Sequence, residues 1–270
     1  MTPPRWWASA RFLPALAIAA ALLNSACGGA GDPEVTVVLQ ADTSGLTPGL
    51  SSAALFDSTA ATLRQRAQFY GLEDPEISAV RDLFTITVKG VDEATAGELF
   101  SRRGLLEFRQ PRVVGQGFVI CRGADGAEFG VPPQNVNPDD ASRSPARCFS
   151  RDKIGDPVWD PAAAGDAQLT DESVAAGGWT LREDVPFLSV RFTSDGAPLL
   201  ETITRNLVGY PLGIFLDGEL IAAPRIQRPI TEAEAVISGF DLGRARLFHA
   251  VLNSGPLALP LTVSPATPTP

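Results

Sequence analysis

Histidine is almost absent from this chain, which has one His, His249, among 270 residues. Any Ser/His/Asp catalysis would have to use that residue, and most zinc sites would lack ligands. The motifs of phosphate-binding loops, nucleophile elbows and zinc proteases do not occur in the sequence either. His249 lies in a segment with helical spacing, which favours a structural role. We therefore expect no enzyme, no cofactor and no metal site.

Positive charge is also scarce, with 22 Lys and Arg against 31 Asp and Glu and a formal net charge of −9. Because nucleic-acid affinity rests mainly on Lys and Arg, this balance argues against a nucleic-acid partner. Hydrophobic residues make up 44% of the chain and charged residues 20%, which is typical of a globular protein. The 25 Gly and 23 Pro predict many loops.

Long apolar runs are missing after the first 27 residues. Phe12–Ala26 is an apolar run of 15 residues that follows Arg5 and Arg11, the pattern of a secretory signal. It is shorter than the roughly 20 residues of a comfortable membrane span. The run ends at Cys27 in a pattern that resembles a bacterial lipobox. We expect a lipid anchor at Cys27 that holds the chain on the extracytoplasmic side of the cell membrane; a cleaved secretory signal and a single uncleaved anchor are the alternatives.

Cysteine is rare, with three residues in the chain. If Cys27 carries lipid, Cys121 and Cys148 remain as an even pair in an oxidising compartment, which favours a disulfide. The chain-entropy model assigns such a bridge roughly 3–4 kcal/mol. The alternative is two unpaired buried thiols.

The first part of the mature chain predicts helices on one face of an antiparallel sheet, an α+β architecture. After a tether over residues 28–34, the predicted elements are a strand over Val35–Gln40, a helix from Ser51 or Ser52 to Tyr70, strands over Glu76–Val80 and Leu83–Lys89, a helix capped by Asp92, and a strand over Leu105–Arg109. Alternation of Phe84, Ile86 and Val88 supports the second of the paired strands.

Residues 111–184 are rich in Gly and Pro and lack periodicity, so we expect an irregular insertion there. Regular elements then resume: a strand over Phe187–Thr193, a helix capped by Ser194 or Asp195, a hairpin with Asp217-Gly218 at its turn, a strand over Ala235–Ser238, a helix capped by Asp241, and a strand near Leu259–Val263. Asp-Gly between two apolar runs is a strong hairpin signal. Residues 264–270 predict a disordered tail.

Two stretches resemble the large extracytoplasmic domain of SecD, an accessory subunit of the bacterial Sec translocon. The first runs from Leu63 to Arg109 and contains Leu63-Arg64-Gln65-Arg66, Phe84–Gly90 and Leu105–Arg109. The second runs from Val190 to Leu261 and contains Phe192–Gly196, Leu216-Asp217-Gly218, Ala223-Pro224-Arg225-Ile226, Ile237-Ser238-Gly239 and Asn253–Leu257. No single motif is specific, but their order and approximate spacing are similar to those of the family.

This resemblance implies a ferredoxin-like base over residues 35–111 with 257–263, and a head over 112–256 that includes the irregular insertion 112–184. It also implies a role in protein export, in which the head binds emerging unfolded polypeptide and Sec translocon subunits are candidate partners. Trp159, Trp179, Asp217 and Gly218 are candidate polypeptide contacts, because aromatic side chains and exposed loops favour binding. For the two tryptophans, packing over the base is the alternative.

The chain also departs from the SecD pattern. A lipoprotein-type signal stands where the family has a membrane span, and Pro270 falls about where the family's next membrane helices begin. We therefore expect no proton-conducting helices in this chain. The alternative function is an envelope lipoprotein that binds a small solute or another envelope protein with a borrowed SecD-head fold, since fold alone does not determine function.

Overall fold

The computed structural model describes residues 34–45, 52–132, 148–150, 153–182 and 185–264. Its helices are α1 (Ser52–Tyr70), α2 (Glu93–Ser101), α3 (Gly196–Asn206) and α4 (Leu242–Ser254). Its strands are β1 (Glu34–Ala41), β2 (Glu76–Val80), β3 (Leu83–Lys89), β4 (Leu106–Pro111), β5 (Val113–Val114), β6 (Phe118–Gly123), β7 (Glu128–Val131), β8 (Cys148–Ser150), β9 (Lys153–Pro157), β10 (Trp159–Pro161), β11 (Ala163–Ala164), β12 (Ala167–Gln168), β13 (Val174–Arg182), β14 (Val185–Phe192), β15 (Gly213–Leu216), β16 (Glu219–Ala222), β17 (Glu234–Ile237) and β18 (Leu261–Val263). The predicted lipidation site, Cys27, lies outside the described residues.

The first sheet has the strand order and connections of a ferredoxin-like fold. Its order is β18-β1-β3-β2, and every neighbouring pair is antiparallel. Along the chain the elements follow as β1, α1, β2, β3, α2 and, after a long insertion, β18. The predicted α+β fold with a ferredoxin-like base and an inserted α+β segment is therefore confirmed.

Side-chain alternation explains why this sheet buries one face. Phe84, Ile86 and Val88 on β3 are buried, whereas their neighbours along the strand are partly exposed. On α1, Leu63 and Ala67 lie four residues apart on one face of the helix and are fully buried in the core. The apolar spacing of each element thus agrees with its position in the layer.

The inserted segment contributes two further sheets, β10-β4-β15-β16 and β13-β14-β17, together with α3 and α4. Helix α4 packs against both α1 and β13. A single hydrophobic core runs through the ferredoxin-like unit and the insertion, from Leu63 and Phe100 to Leu200 and Phe248. The two parts are therefore stabilised by the same buried surface.

The expectation of an irregular insertion over residues 112–184 is wrong for the part of it that the structure describes, which contains nine short strands. Most of these strands have two to six residues, which is too short to leave a local period in the sequence. Some also pair with strands far along the chain, as β10 does with β4 and β6 with β9. Strands β5, β6, β9 and β8 form one sheet, and β7 pairs with β6.

A disulfide joins Cys121 on β6 to Cys148 on β8, with a Cα–Cα distance of 5.8 Å. Both cysteines are fully buried, and with Val119 and Val131 they form a second, much smaller core. The predicted disulfide is therefore present. Few apolar side chains are buried in this lobe, so hydrophobic burial contributes little to its stability and the disulfide adds stabilisation there.

The predicted helix caps Asp92 and Asp241 are confirmed. The carboxylate of Asp92 accepts a hydrogen bond from the Thr95 amide, and that of Asp241 accepts one from the Arg244 amide. Asp195 precedes α3 without making a side-chain cap. The Thr193 hydroxyl accepts from the Gly196 amide instead, at 3.0 Å, because the Asp195 backbone is already helical.

Candidate functional site

An apolar groove of about 200 Å³ lies in the inserted segment, beside β14 and β17. It is lined by Phe108, Val190, Phe192, Leu200, Leu212, Ile214, Pro224, Arg225, Ile226, Gln227, Arg228, Ile230, Ala235, Val236 and Ile237. Most of these side chains are aliphatic or aromatic. The groove can therefore receive an apolar side chain from a ligand, with polar groups at few positions.

The floor of the groove follows from the alternation of β14. Leu188, Val190 and Phe192 on this strand are buried, and the residues between them are more exposed. Helix α3 supplies Leu200, also fully buried. The strand and the helix thus form a rigid apolar base.

One wall of the groove is the segment 224–230, which the backbone holds along its length. The Ile226 amide donates to the Tyr210 carbonyl at 2.9 Å, and the Ile226 carbonyl accepts from the Gly209 amide at 2.8 Å. At the far end, the Ile230 amide donates to the hydroxyl of buried Thr204 at 2.9 Å. These bonds fix the wall relative to α3.

The other wall is β17, an edge strand that pairs with β14 alone in the described part of the chain. The Phe192 amide donates to the Ala233 carbonyl, so in this antiparallel ladder the hydrogen-bonding groups of Glu234 and Val236 point away from β14. The side chain of Val236 is 51% exposed. The groove therefore adjoins an open strand edge.

The groove is positively charged, although the chain as a whole is acidic. Its charged lining residues are Arg225 and Arg228, both exposed, and its lining contains no carboxylate. The Arg225 Nε donates to the Gly209 carbonyl at 3.1 Å. Within the described ranges, neither arginine forms an ion pair with a carboxylate of this chain.

The predicted contact residues Trp159 and Trp179 lie on strands and do not line the groove. Trp159 packs edge to face on Phe215, with ring centroids 5.7 Å apart, and covers Gly213, where an added Cβ would come within 2.8 Å of the indole. Trp179 is half-buried on β13, and the Arg246 guanidinium lies 5.6 Å from its ring centroid. Both indoles contribute to packing within the chain.

Asp217 and Gly218 form the turn of the β15–β16 hairpin, with positive φ angles of 53° and 81°. This is the predicted turn geometry. The Asp217 Oδ1 atom accepts hydrogen bonds from the amides of Gly104 and Leu105, both at 2.9 Å, whereas Gly218 is exposed. Asp217 thus holds the hairpin against the segment that joins α2 to β4.

Arg66 is fully buried near Asp217 and binds the C-terminal ends of two helices. Its guanidinium donates to the Leu99 carbonyl at the end of α2 and to the Ser254 hydroxyl at the end of α4. Burial lowers the pKa of Arg66 to about 10, and the Asp217 charge opposes this shift. The guanidinium stays charged at neutral pH, and its position complements both helix dipoles.

A second cavity of about 680 Å³ is lined mainly by the ferredoxin-like unit, with Arg246 contributed by α4 of the inserted segment. It is lined by Glu34, Tyr70, Gly71, Leu72, Glu73, Asp74, Glu76, Thr87, Val88, Lys89, Gly90 and Arg246. The lining is mainly polar and mixes both signs of charge. Across the described ranges, no group of three or more His, Cys, Asp or Glu side chains is placed to hold a metal ion.

Sequence reasoning missed the groove itself. The Ala223-Pro224-Arg225-Ile226 motif was noted for its resemblance to the SecD family, and it forms the start of one wall. The edge position of β17 depends on pairing across the chain, so its sequence carries no signal for it.

Of the helices described, none has the length and apolar character required to cross a membrane.

Comparison with known families finds a match within the inserted segment. The family model for the SecDF P1 head subdomain matches residues 161–259, which include α3, α4 and most of the groove. The match thus covers the inserted segment from the end of β10 to the residues that follow α4.

The full sequence is similar to several curated proteins. It is 28% identical over 234 residues to the protein translocase subunit SecDF of Thermus thermophilus, a match that covers 84% of this chain and 29% of that protein. It is 29% identical over 213 residues to SecD of Desulfurispirillum indicum, covering 75% and 38% of the two chains. For SecD of Endomicrobium trichonymphae the identity is 29% over 239 residues, covering 83% and 49%. The chain spans less than half the length of these relatives.

Among solved structures, one titled "Structure and function of a membrane component SecDF that enhances protein export" matches with a TM-score of 0.51 and 25% identity. The match covers 87% of this chain and 100% of that one. A SecDF crystal structure in a super-membrane-facing form shares the fold, with a TM-score of 0.54 and 24% identity over 86% of this chain. Most of this chain is thus similar to the periplasmic part of SecD.

Proposed function

We propose, from the similarity of most of this chain to the periplasmic domain of SecD, that it assists protein export by binding emerging, unfolded polypeptide outside the cytoplasm. The role is non-enzymatic, and Sec translocon subunits are candidate partners. In this proposal residues 35–111 with 257–263 act as the base and residues 112–256 as the binding head.

The observation that carries this proposal is the open edge of β17 beside an apolar groove. An unfolded chain presents backbone N–H and C=O groups whatever its sequence, and a strand edge can pair with them. The outward-facing backbone groups of Glu234 and Val236 would supply this pairing, and the groove would accept an apolar side chain. Such a site recognises the unfolded state, because a folded protein hides both features.

The size of the groove favours a polypeptide over a small solute. At about 200 Å³ it is smaller than ordinary small-molecule sites, which have roughly 300–1,000 Å³. The alternative, an envelope lipoprotein that binds a solute or another envelope protein, is favoured by the polar cavity of about 680 Å³ lined mainly by the ferredoxin-like unit. Binding measurements therefore have to separate the two cavities.

A lipid anchor at Cys27 forms part of the proposal, and the sequence pattern around this residue supports it. Two or more acyl chains, at about 0.8 kcal/mol per buried methylene, would give stable membrane attachment. Labelling of cells with a radioactive fatty acid tests this point. Label is expected on the wild-type chain and should be lost in Cys27→Ser; equal labelling of the two chains would contradict lipidation at this residue.

The binding proposal is tested with the full chain and a fluorescent secretory protein, presented either unfolded or folded. Fluorescence anisotropy should show binding of the unfolded form only. Val236→Pro removes an outward-pointing amide and keeps the bonds to β14, so we expect about fivefold to tenfold weaker binding. Val236→Thr keeps the amide and serves as the matched control. Equal affinity for folded and unfolded substrate, or no binding of either, would refute the proposal.

Crosslinking in living cells tests the contact surface. Trp159, Trp179, Asp217 and Gly218 stay proposed polypeptide contacts, and a photoreactive residue at each of them is compared with one at Gln227 in the groove. Adducts with many secretory proteins at Gln227 would support the groove. A single recurrent envelope partner would favour the alternative function instead.

A further inference from the structure

The position and shape of the groove do not determine whether it prefers ligands of one charge, but its charged lining residues bear on this question. Among its lining residues, the charged ones are Arg225 and Arg228, and no Asp or Glu lines it. The whole chain has 31 acidic and 22 basic residues. A cationic groove on an acidic protein attracts carboxylates locally, while the remaining surface repels them.

Both guanidinium groups are available to a ligand. Six other arginines of the described residues are paired with carboxylates within the chain: Arg102, Arg109, Arg112, Arg122, Arg205 and Arg244. Arg225 and Arg228 are exposed and, within those same residues, take part in no such pair. Glu232 and Glu234 follow shortly in the sequence and lie outside the groove lining.

The wall that presents the two arginines is held in place before any ligand binds. They flank Ile226, whose amide and carbonyl are both hydrogen-bonded to the turn at 209–210. The Arg225 Nε bond to the Gly209 carbonyl leaves the terminal nitrogens of that side chain free to point to a ligand. A guanidinium fork matches a carboxylate and can bind it with two hydrogen bonds.

We propose that the groove selects unfolded segments in which an Asp or Glu stands within one or two residues of an aliphatic or aromatic side chain. The apolar side chain enters the groove, the segment pairs with the edge of β17, and its carboxylate binds Arg225 or Arg228. These two arginines are thus specificity-determining residues. This inference rests on the proposed polypeptide binding and adds to it the class of segment that is bound.

The test uses the full chain and three fluorescent peptides of identical apolar sequence, whose flanking positions carry Asp and Glu, Asn and Gln, or Lys. Because the contacts are solvent-exposed, the acidic peptide should bind about three- to tenfold more tightly than the amide peptide. The Lys peptide should bind most weakly. High salt should reduce the differences between the peptides.

Variants then assign the selection to the two arginines. Arg225→Gln with Arg228→Gln should remove the difference between the acidic and amide peptides, and the double change to Glu should reverse the order. Arg64→Gln with Arg103→Gln removes the same charge from exposed positions outside the groove and should leave the order unchanged.

Three results overturn the inference or its assignment to the two arginines, and they are distinguishable. If all three peptides bind with one affinity, or the Lys peptide binds most tightly, charge selection is wrong while polypeptide binding stands. If no peptide binds, the proposed function fails and this inference fails with it. Loss of selection in the Arg64 and Arg103 control would likewise refute the assignment, because net charge would then be the cause.

Discussion

Asp217, a candidate polypeptide contact, provides the sharpest test of the structure, because its side chain also holds the β15–β16 hairpin in place. Its Oδ1 atom accepts from the amides of Gly104 and Leu105, and its own amide donates to the Leu105 carbonyl at 2.9 Å. Its φ angle of 53° is unfavourable for most residues. Replacing Asp217 by Ala therefore removes two hydrogen bonds to a carboxylate and places a Cβ-bearing residue without turn preference at a left-handed position.

The magnitude follows from these contacts. A hydrogen bond to a charged group contributes about 1.5–3 kcal/mol, and the two that share Oδ1 are not additive. Adding about 1 kcal/mol for Ala at positive φ, we expect Asp217→Ala to cost about 3–5 kcal/mol of unfolding free energy. Asp217→Gly should recover about 1 kcal/mol of this, because Gly relieves the backbone strain alone. Asp217→Asn keeps an acceptor oxygen and tolerates the turn, so it should cost about 1 kcal/mol.

Urea unfolding followed by circular dichroism measures these differences. Glu219→Ala is the matched control, because Glu219 lies in the same hairpin and, with its own side chain half exposed, makes ion pairs with Arg102 and Arg244. Such pairs contribute about 0–1 kcal/mol. The reasoning is refuted if Asp217→Ala costs no more than Glu219→Ala, or if the Asn and Ala variants are equally unstable.

Three further predictions concern other buried groups. Arg66→Met should lower the unfolding free energy by about 3–5 kcal/mol, because it leaves buried carbonyls at two helix ends unpaired. Calorimetry measures this loss, and a thermal unfolding transition at the wild-type temperature would contradict the prediction. Replacing Cys121 and Cys148 by Ala should accelerate amide hydrogen exchange across 113–157 while the main core stays protected; uniform acceleration would argue against a separate lobe. Burial lowers the pKa of His249 below its usual 6.5, so the unfolded chain binds the proton first and stability should fall as pH decreases below 6.5. The stability of His249→Gln should no longer show this fall at low pH. A stability-versus-pH profile identical to that of the wild type would refute the prediction.

Local signals were sufficient for much of the regular structure. The strands Glu76–Val80 and Leu83–Lys89 have the predicted bounds, because alternating apolar residues and a turn determine them within a few positions. The Asp217-Gly218 turn was equally predictable, since its backbone angles are accessible to few residue types. Where a short stretch carries its own conformational preference, sequence reasoning agreed with the structure.

The lobe around Cys121 and the binding groove were not predictable in this way. Strands of two or three residues, such as β5 and β8, have no measurable period. The contacts that tie the lobe together, such as the pairing of β6 with β9, join residues far apart in the chain. The tryptophans were considered as contacts because aromatics in a loop favour binding. Trp159 pairs with β4 and packs on Phe215, an arrangement that only the register of that sheet determines.

The sequence by itself determined the composition of this protein, its signal-like N-terminus, the cysteine pair and the ferredoxin-like order of its first elements. These properties depend on residue type and on short-range periodicity. Among the described residues, the tertiary structure decided which strand edge stays open, which arginines lack a carboxylate partner, and that Asp217 accepts hydrogen bonds from the amides of Gly104 and Leu105. These properties depend on contacts between residues that are distant in sequence, and such contacts form only when the whole core is assembled.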